Sequence, residues 1–265
     1  MPNYLAYWQK GCNFAPKMQT DAIRLEHLTI GYDAKHPIAT DINCTLSAGE
    51  LTCLVGANGV GKSTLLKTIA GLVPAIGSRV ESRESRVESR ESRGESNFPK
   101  RLNDQTTKRL ISVVLTGRTD VQNLTVEEVV GLGRTPYTNF WGTLKATDRQ
   151  VVAESMETVG ITALKDRAIH ELSDGEHQKV MVAKALAQQT PVILLDEPTA
   201  FLDHPSRIAM FELLQRLAHE EGKAILLSTH DLEIAVRYAD IFWVMEKEKG
   251  LSIVEGRELR VEGRE

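Results

Sequence analysis

One segment, residues 56–64, constrains this chain more than any other. Its sequence, Gly-Ala-Asn-Gly-Val-Gly-Lys-Ser-Thr, fits the pattern G-x-x-x-x-G-K-[ST] at every fixed position. The apolar segment 51–55 before it predicts a buried strand, and apolar residues at helical spacing after Lys62 predict a helix. This context favours a phosphate-binding loop over a glycine-rich turn that binds nothing, and it predicts an α/β fold.

The chemistry of phosphate explains the spacing of this motif. Glycine lets the backbone turn tightly, so that successive N–H groups face one anion, and the helix that follows adds the positive end of its dipole. Lys62 can reach the β- and γ-phosphates of a nucleotide, and the Ser63 hydroxyl can bind Mg²⁺. We call residues 56–64 the phosphate loop, and we predict that it binds nucleotide through Gly56, Ala57, Asn58, Gly59, Val60, Gly61, Lys62, Ser63 and Thr64.

Composition excludes several classes of function. The 265 residues are 42% hydrophobic, which suffices for a sizeable core, and the formal net charge of -4 gives no broad basic character that would favour nucleic acid. The three cysteines lack metal-binding spacing and favour a reducing compartment. No apolar run approaches the roughly 20 residues that span a bilayer, and the N-terminus lacks the apolar stretch of a signal peptide. We therefore expect a cytoplasmic protein that works at a membrane only through a partner.

Hydrophobic periodicity predicts the remaining elements of the chain. Strands are expected over 22–30, 38–46, 111–115, 192–195, 224–227, 241–245 and 251–254. Helices are expected from Thr125, over 148–159, from Ser173, over 206–219 and up to Tyr238. Strands and helices thus alternate along most of the chain, except for a mostly helical block over residues 117–172.

A seven-residue repeat, Ser-Arg-Val-Glu-Ser-Arg-Glu, begins at Ser78 and again at Ser85, and a third copy starts at Ser92. The single valine in each full copy does not form the apolar seam that a coiled coil needs. The arginines and glutamates balance in charge. We therefore expect residues 78–97 to be a solvated, mobile loop inserted in a surface hairpin.

Two carboxylates follow the fully apolar strand predicted over 192–195, at Asp196 and Glu197. In open α/β sheets, ligands bind at the carboxyl ends of the strands. Asp196 can hold Mg²⁺ by way of water, and Glu197 is then placed to orient or deprotonate an attacking water. An exposed acidic turn is the alternative, and a phosphate loop in the same chain favours the catalytic interpretation.

Three weaker candidates lie at other element ends. His230 follows a predicted buried strand, and this place favours contact with a γ-phosphate over a purely structural hydrogen bond. Tyr32 follows the first strand and could either stack on a base or pack locally. Ser173 opens a helix and has Glu176 three residues later, which by itself is a plain capping box.

Taken in order, these elements resemble the ATP-binding subunit of ABC transporters over about residues 22–250. The order is Tyr32, the phosphate loop, Leu-Ser-Asp-Gly-Glu-His-Gln at 172–178, the strand end at Asp196, then Ala-Phe-Leu-Asp at 200–203 and finally His230. The signature element at 172–178 lies between the phosphate loop and the strand end at Asp196, which are the two Walker motifs. This element separates the family from other phosphate-loop proteins. The resemblance implies an α/β P-loop NTPase fold with a RecA-like core, an antiparallel β subdomain and a helical subdomain.

The resemblance also implies a domain organisation. The ATPase domain would cover residues 21–255, with the helical subdomain at about 117–172 and the repeat inserted at about 78–97. Residues 1–20 would be a disordered extension, and residues 256–265 a mobile tail.

The resemblance assigns roles to individual residues. Tyr32 would stack on adenine, whereas Ser173 and Gly175 would contact the γ-phosphate bound by another protomer, so that a homodimer sandwiches two ATP molecules. Asp203 would lie at the dimer interface and sense the opposite site. The catalytic residues would be Glu197 as the base, His230 as the switch residue and Lys62, with Ser63 and Asp196 holding Mg²⁺.

Within the family, one segment resembles importers of iron complexes. Leu-Thr-Val-Glu-Glu-Val-Val-Gly-Leu-Gly-Arg at 124–134, then Pro136-Tyr137 and Trp141-Gly142, carries this likeness. That group takes up ferric siderophores, haem and cobalamin. It implies integral membrane permease subunits as partners, a solute-binding protein as an indirect partner, and a location on the inner face of the cell membrane. A coupling helix of the permease would dock on the helical subdomain.

Two departures from the family pattern leave other functions open. Thr116 stands where a glutamine is usual, and its shorter hydroxyl puts contact with Mg²⁺ and water in doubt. Asp174 stands in the signature where glycine is usual, and its charge would repel a nearby phosphate, so we infer that this side chain turns away. The alternatives are a soluble ABC-type ATPase in assembly or repair, a low-activity ATP-binding module, and an exporter subunit.

Overall fold

A computed structural model describes residues 21–33, 35–82, 109–117, 124–247 and 250–262. The expectations for residues 1–20 and for the repeat from residue 83 onwards lie outside these ranges. The described chain forms two sheets and a helical part.

The smaller sheet is antiparallel, with the strand order β2-β1-β4, and its strands are β1 (Asp21–Ile30), β2 (Ala39–Ser47) and β4 (Gly77–Ser82). In β1 the buried residues are Ile23, Leu25, Leu28 and Ile30. An irregularity in register lies between Leu25 and Leu28, where His27 has a φ of 51°. This bulge allows both pairs of apolar residues to face the same side. The antiparallel β subdomain is therefore confirmed.

The start of the seven-residue repeat is not a loop. Residues 78–82 belong to β4, which pairs with β1 so that Val80 lies opposite Leu25. The prediction of a solvated loop from residue 78 was wrong for this part. Arginine and glutamate are compatible with an edge strand. One side of such a strand has no neighbouring strand, and charged residues there discourage pairing with another chain.

The larger sheet has six strands in the order β5-β6-β7-β3-β8-β9. Its strands are β3 (Leu51–Val55), β5 (Ile111–Val114), β6 (Val192–Leu195), β7 (Ala224–Ser228), β8 (Ile241–Glu246) and β9 (Gly250–Glu255). The first five in this order are parallel, and β9 pairs antiparallel with β8. Strands β3, β6 and β7 are buried along their whole length, which explains why their sequences are apolar rather than alternating.

Helices cover this sheet and form a separate helical part. In chain order they are α1 (Lys62–Ile69), α2 (Val126–Gly131), α3 (Ala146–Thr158), α4 (Asp174–Ala187), α5 (His204–His219), α6 (Leu232–Tyr238) and α7 (Gly256–Glu262). The predicted capping box at Thr125 and Glu128 opens α2. Within the described ranges, no helix is long and apolar enough to cross a lipid bilayer.

A buried ion pair holds the helical part to α4. Arg134 lies in a 3₁₀ helix (Leu132–Tyr137), and it donates to Asp148 at 3.0 Å and to the Ala187 carbonyl at 2.8 Å. Both charged side chains are at most 7% exposed, so the removal of either would leave a buried charge without its partner. The pair therefore fixes α3 and α4 relative to each other.

The predicted tail, residues 256–265, begins in a helix. Residues 250–255 complete β9, and residues 256–262 form α7. The Gly256 N–H donates to the Asp240 carbonyl at 2.8 Å, and a Cβ at Gly256 would lie 2.3 Å from the Ala239 carbonyl oxygen. The chain therefore turns closely against the start of β8 before α7 begins.

Candidate functional site

The phosphate loop joins β3 to α1, as predicted. Its glycines are required by space as well as by conformation. A Cβ at Gly56 would lie 2.3 Å from the Met245 carbonyl oxygen, and a Cβ at Gly61 would lie 2.5 Å from Ile38 Cγ2. Their φ angles of 150° and 113° also lie in the region that favours glycine. Any larger residue at these two positions would displace the loop.

Lys62 lies inside this loop. It is 6% exposed, and its Nζ donates to the Gly56 carbonyl at 2.8 Å and to the Ala57 carbonyl at 3.2 Å. No side chain of the described residues caps α1, so its first backbone N–H groups remain available to an anion. An ammonium group and uncapped amides around one turn fit the phosphates of a nucleotide.

Asp196 connects the two motifs that the sequence predicted to meet. The Ser63 hydroxyl donates to Asp196 Oδ1 at 2.9 Å, although 133 residues separate the two positions. The Ser228 hydroxyl donates to the same oxygen at 2.8 Å. Asp196 is only 6% exposed, and it lies at the end of β6, next to β7.

This donor set fits Mg²⁺. The ion is usually held by one or two carboxylates together with phosphate oxygens and water. Ser63 and Asp196 supply one hydroxyl and one carboxylate, and the described residues include no cluster of three or more histidines, cysteines and acids that would form an all-protein metal site. A magnesium ion here would therefore depend on the nucleotide for much of its coordination.

Ser228 was not predicted, and it links both acidic residues. Its Oγ accepts a hydrogen bond of 2.8 Å from the Glu197 N–H while it donates to Asp196. Glu197 has a φ of 47°, which is uncommon for a residue other than glycine. Ser228 is fully buried at the end of β7. Its sequence signal is its place at a strand end on the same sheet edge as Asp196.

His230 and Glu197 approach each other at this edge. His230 Nδ1 lies 3.9 Å from Glu197 Oε1, and the two side chains are 51% and 29% exposed. A carboxylate and an imidazole that are both accessible can face a substrate and a water molecule together. The predicted catalytic residues Lys62, Glu197 and His230 thus lie at the carboxyl ends of neighbouring strands.

Thr116 lies beside this group. It follows β5, and its hydroxyl donates to the Asp196 carbonyl at 2.9 Å. The hydroxyl proton is therefore engaged by the backbone of the strand end that carries the two acids. The side chain supports the position of Asp196 from the β5 side.

Tyr32 follows β1 and is 73% exposed. The Ile38 N–H donates to the Ile30 carbonyl at 2.8 Å, so the segment after β1 folds back on itself. Ile30 and Ile38 both border Gly61. The exposed Tyr32 ring thus lies in the segment between these two isoleucines.

The other predicted residues are engaged in helix caps. Ser173 donates to Glu176 at 2.8 Å and accepts from the Glu176 N–H, which forms the capping box of α4. Asp203 accepts from the Ser206 N–H and caps α5. Gly175 lies beside Ser206, where a Cβ would be 3.3 Å from Ser206 Oγ. Within the described part of the chain, no hydrogen bond brings these three residues to the phosphate loop.

Hydrogen bonds in these two helix caps lower the pKa of a carboxyl group in each. The backbone and hydroxyl of Ser173 lower the pKa of Glu176 below its usual value. The side chain and backbone of Ser206 lower the pKa of Asp203 in the same way. Both carboxylates are therefore stabilised in their charged form at the starts of their helices.

A largely parallel sheet with a phosphate loop after β3 and acids after β6 defines a phosphate-loop nucleoside triphosphatase. Residues 39–200 match the family model described as ABC transporter. The chain belongs to the ABC transporter family, and it is an ATPase of this family.

Relatives and solved structures agree with this assignment. The chain is 37% identical over 234 residues to an uncharacterised ABC transporter ATP-binding protein of Methanocaldococcus jannaschii, covering 86% of this chain and 74% of the relative. It is 33% identical over 244 residues to the iron(3+)-hydroxamate import ATP-binding protein FhuC of Bacillus subtilis, covering 91% and 84%. A solved inward-facing structure of a metal-chelate type ABC transporter matches with a TM-score of 0.75 at 25% identity, covering 90% of this chain and 85% of that one.

Proposed function

We propose that this chain is the ATP-binding subunit of an importer that takes up a chelated metal, such as a ferric siderophore, haem or cobalamin. The observation that carries the ATPase part is that the Ser63 and Ser228 hydroxyls both donate to one carboxylate oxygen of Asp196, beside Glu197. The cargo class rests on the names of two similar proteins, one for iron-hydroxamate import and one of metal-chelate type.

In this proposal the phosphate loop binds the triphosphate of ATP. The backbone N–H groups of the loop and the first turn of α1 hold the phosphate oxygens, and Lys62 moves its ammonium from the loop carbonyls to the β- and γ-phosphates. Ser63 and Asp196 hold Mg²⁺, which offsets the charge of the phosphates when bound. Tyr32 stacks on adenine, and its 73% exposure leaves the ring free to do so.

Hydrolysis then follows from the positions of Glu197 and His230. Glu197 accepts a proton from a water molecule that attacks the γ-phosphate in line with the leaving oxygen. His230 contacts the γ-phosphate from the neighbouring strand end. Their separation of 3.9 Å leaves both groups within reach of the same water and phosphate.

The active form is a homodimer that sandwiches two ATP molecules. Ser173, Gly175 and Asp203 support this, because their local contacts place them at the starts of two adjacent helices rather than at the phosphate loop of their own chain. The N-terminus of α4 offers partial positive charge to the γ-phosphate held by a second copy. Phe201, which is 71% exposed beside Asp203, provides an apolar side chain that a second copy would cover.

The dimer couples to integral membrane permease subunits and thereby works on the inner face of the cell membrane. The region predicted as the helical subdomain, about residues 117–172, is the docking region, and a solute-binding protein delivers cargo to the permease from the other side. Phe140 and Trp141 support a contact here, because they are 95% and 83% exposed and form an edge-to-face pair.

ATP turnover with Mg²⁺ tests the proposal, measured for the wild type, Glu197→Gln and the control Glu233→Gln, an exposed acid on α6. We expect the wild type and the control to hydrolyse ATP. Glu197→Gln should bind ATP, dimerise and stall. If all three proteins bind ATP and none turns it over, even with permease partners, the chain is a low-activity binding module instead.

Transport distinguishes the remaining alternatives. Membrane vesicles that contain the co-expressed permease should take up radioactive iron as a ferric hydroxamate, or cobalamin, only with wild-type chain and ATP. If the chain hydrolyses ATP but no permease co-purifies with it, a soluble ABC-type ATPase is favoured. Movement of cargo in the opposite direction would identify an exporter subunit.

A further inference from the structure

We infer that Arg207 and Asp231 are positioning residues that hold His230 in place for hydrolysis by tying it to the loop after Glu197. The inference rests on the proposed role of His230 at the γ-phosphate. It concerns two side chains that lie outside the phosphate loop and outside both acidic positions at the end of β6.

The tie consists of four hydrogen bonds. Arg207 Nη1 donates to Asp231 Oδ1 at 2.8 Å, and Arg207 Nε donates to the Leu202 carbonyl at 2.8 Å. Thr199 Oγ1 donates to Asp231 Oδ2 at 2.9 Å. The Asp231 N–H in turn donates to Thr229 Oγ1 at 3.0 Å. One carboxylate oxygen of Asp231 therefore binds Thr199 in the segment after Glu197, and the other binds Arg207 on α5, which itself binds that segment at Leu202.

The strength of the tie follows from its burial and charge. The Asp231 side chain is 10% exposed, and that of Arg207 is 32% exposed. Charge-assisted hydrogen bonds in such partly buried places are stronger than those between neutral groups. The loss of Arg207 would leave a nearly buried carboxylate with one partner fewer, so the segment around Asp231 would move to regain solvent or another donor.

Hydrogen bonds hold the backbone on both sides of His230. Before it, Thr229 is 1% exposed and its N–H donates to the Leu54 carbonyl at 3.1 Å. After it, Asp231 is held by Arg207 and Thr199. The half-exposed imidazole therefore projects from a backbone clamped at both neighbours, and this clamp sets its distance to Glu197.

We expect the hydrogen bonds of Arg207 and Asp231 to affect the rate of hydrolysis more than the binding of ATP. None of the hydrogen bonds of Arg207 and Asp231 within the described ranges reaches the phosphate loop, so we expect ATP binding to that loop to change little when they are lost. The relative position of His230 and Glu197 does depend on them. A displacement of about 1 Å in a reacting group is enough to slow a reaction by up to roughly 100-fold. The tie therefore acts on kcat rather than on KM.

The test is a double-mutant cycle with Arg207→Ala, Asp231→Asn and both together. The control is Arg216→Ala on the same helix, whose side chain donates to the Thr158 carbonyl away from this edge. ATP turnover, the KM for ATP, the binding of a fluorescent ATP analogue and the melting temperature are measured for each. We expect each single change to lower kcat by about tenfold with KM changed less than about twofold, and the double change to lower it no further. Arg207→Lys should restore kcat only in part, because it cannot donate in two directions from a rigid fork.

Several outcomes would overturn the inference. Unchanged kcat in folded single variants, or losses in the double variant equal to the product of the single losses, would show that the two residues do not act as a unit on His230. An equal loss in Arg216→Ala would show a general effect of α5. A wild type that hydrolyses no ATP with or without partners would instead refute the proposed function, and this inference would fall with it.

Discussion

The Ser63 hydroxyl and Asp196 Oδ1 are joined by a hydrogen bond of 2.9 Å between the first turn of α1 and the end of β6. These elements meet because β3, which leads into the phosphate loop, and β6 lie on either side of β7. The strand that separates them supplies Ser228, which binds the same oxygen. The neighbouring order of β6, β7 and β3 in the sheet thus brings both hydroxyls to one oxygen of Asp196.

We predict that Ser63→Ala raises the Mg²⁺ concentration needed for tight ATP binding by about tenfold. A hydroxyl ligand and a hydrogen bond to Asp196 are both lost, and replacement of a metal-site group of this kind commonly costs about 10- to 100-fold in metal affinity. The measurement is a Mg²⁺ titration of nucleotide binding by calorimetry. Ser252→Ala, on the exposed edge strand β9, serves as the control and should leave the titration unchanged. Equal titrations for Ser63→Ala and the wild type would contradict the assigned role.

Ser228→Ala is expected to destabilise the fold and to slow hydrolysis. It removes the acceptor of the Glu197 N–H and one of the two donors to Asp196, both at a fully buried position. An unsatisfied buried partner costs about 1–3 kcal/mol, which urea denaturation would detect. Because Glu197 loses the contact that holds its unusual φ, kcat should fall more than ATP affinity. A variant with wild-type kcat would show that Ser228 has only a structural role.

Two glycines of the phosphate loop should differ in their tolerance of alanine. Both have positive φ angles, 76° at Gly59 and 113° at Gly61, so each substitution carries backbone strain. A Cβ at Gly59 meets no atom within 4 Å, whereas a Cβ at Gly61 would lie 2.5 Å from Ile38 Cγ2. We expect Gly61→Ala to abolish nucleotide binding and Gly59→Ala to weaken it by about tenfold or less, a loss equivalent to about 1.4 kcal/mol. Equal losses in a binding assay would exclude crowding at Ile38 as the cause.

The capping box of α4 predicts a pH dependence of stability. Hydrogen bonds from Ser173 lower the pKa of Glu176 in the folded chain. A lowered folded pKa gives stability that is present above the unfolded value of about 4.3 and is lost as the pH falls through the folded value. Glu176→Gln should therefore melt at a lower temperature than the wild type at pH 7, and the gap should close in melting curves taken down towards pH 3. Glu154→Gln, an exposed change on α3, should show a smaller gap at pH 7. A gap for Glu176→Gln that grows on acidification would contradict the assigned cap.

Local sequence was sufficient for the elements whose signals lie within a few residues. The phosphate loop, the apolar strand before Asp196 and the capping boxes at Thr125 and Ser173 were all predicted, because turn chemistry and periodicity act over short distances. Charged composition led to a wrong prediction for one segment, because it indicates contact with solvent and not the backbone conformation. The repeat from Ser78 looked like a loop, yet its first residues form an edge strand, since β1 offers them a hydrogen-bonding partner.

The tertiary structure alone decided which side chains meet at the site. No pattern around Ser228 indicates that it binds both Asp196 and Glu197, and none around Arg207 indicates its partner Asp231, 24 residues away. These contacts depend on the order of strands in the sheet and on the packing of α5 against α6. Since hydrogen bonds form wherever the chain brings donors and acceptors together, the sequence determined the chemistry at each strand end, and only the packing of the strands determined the partners.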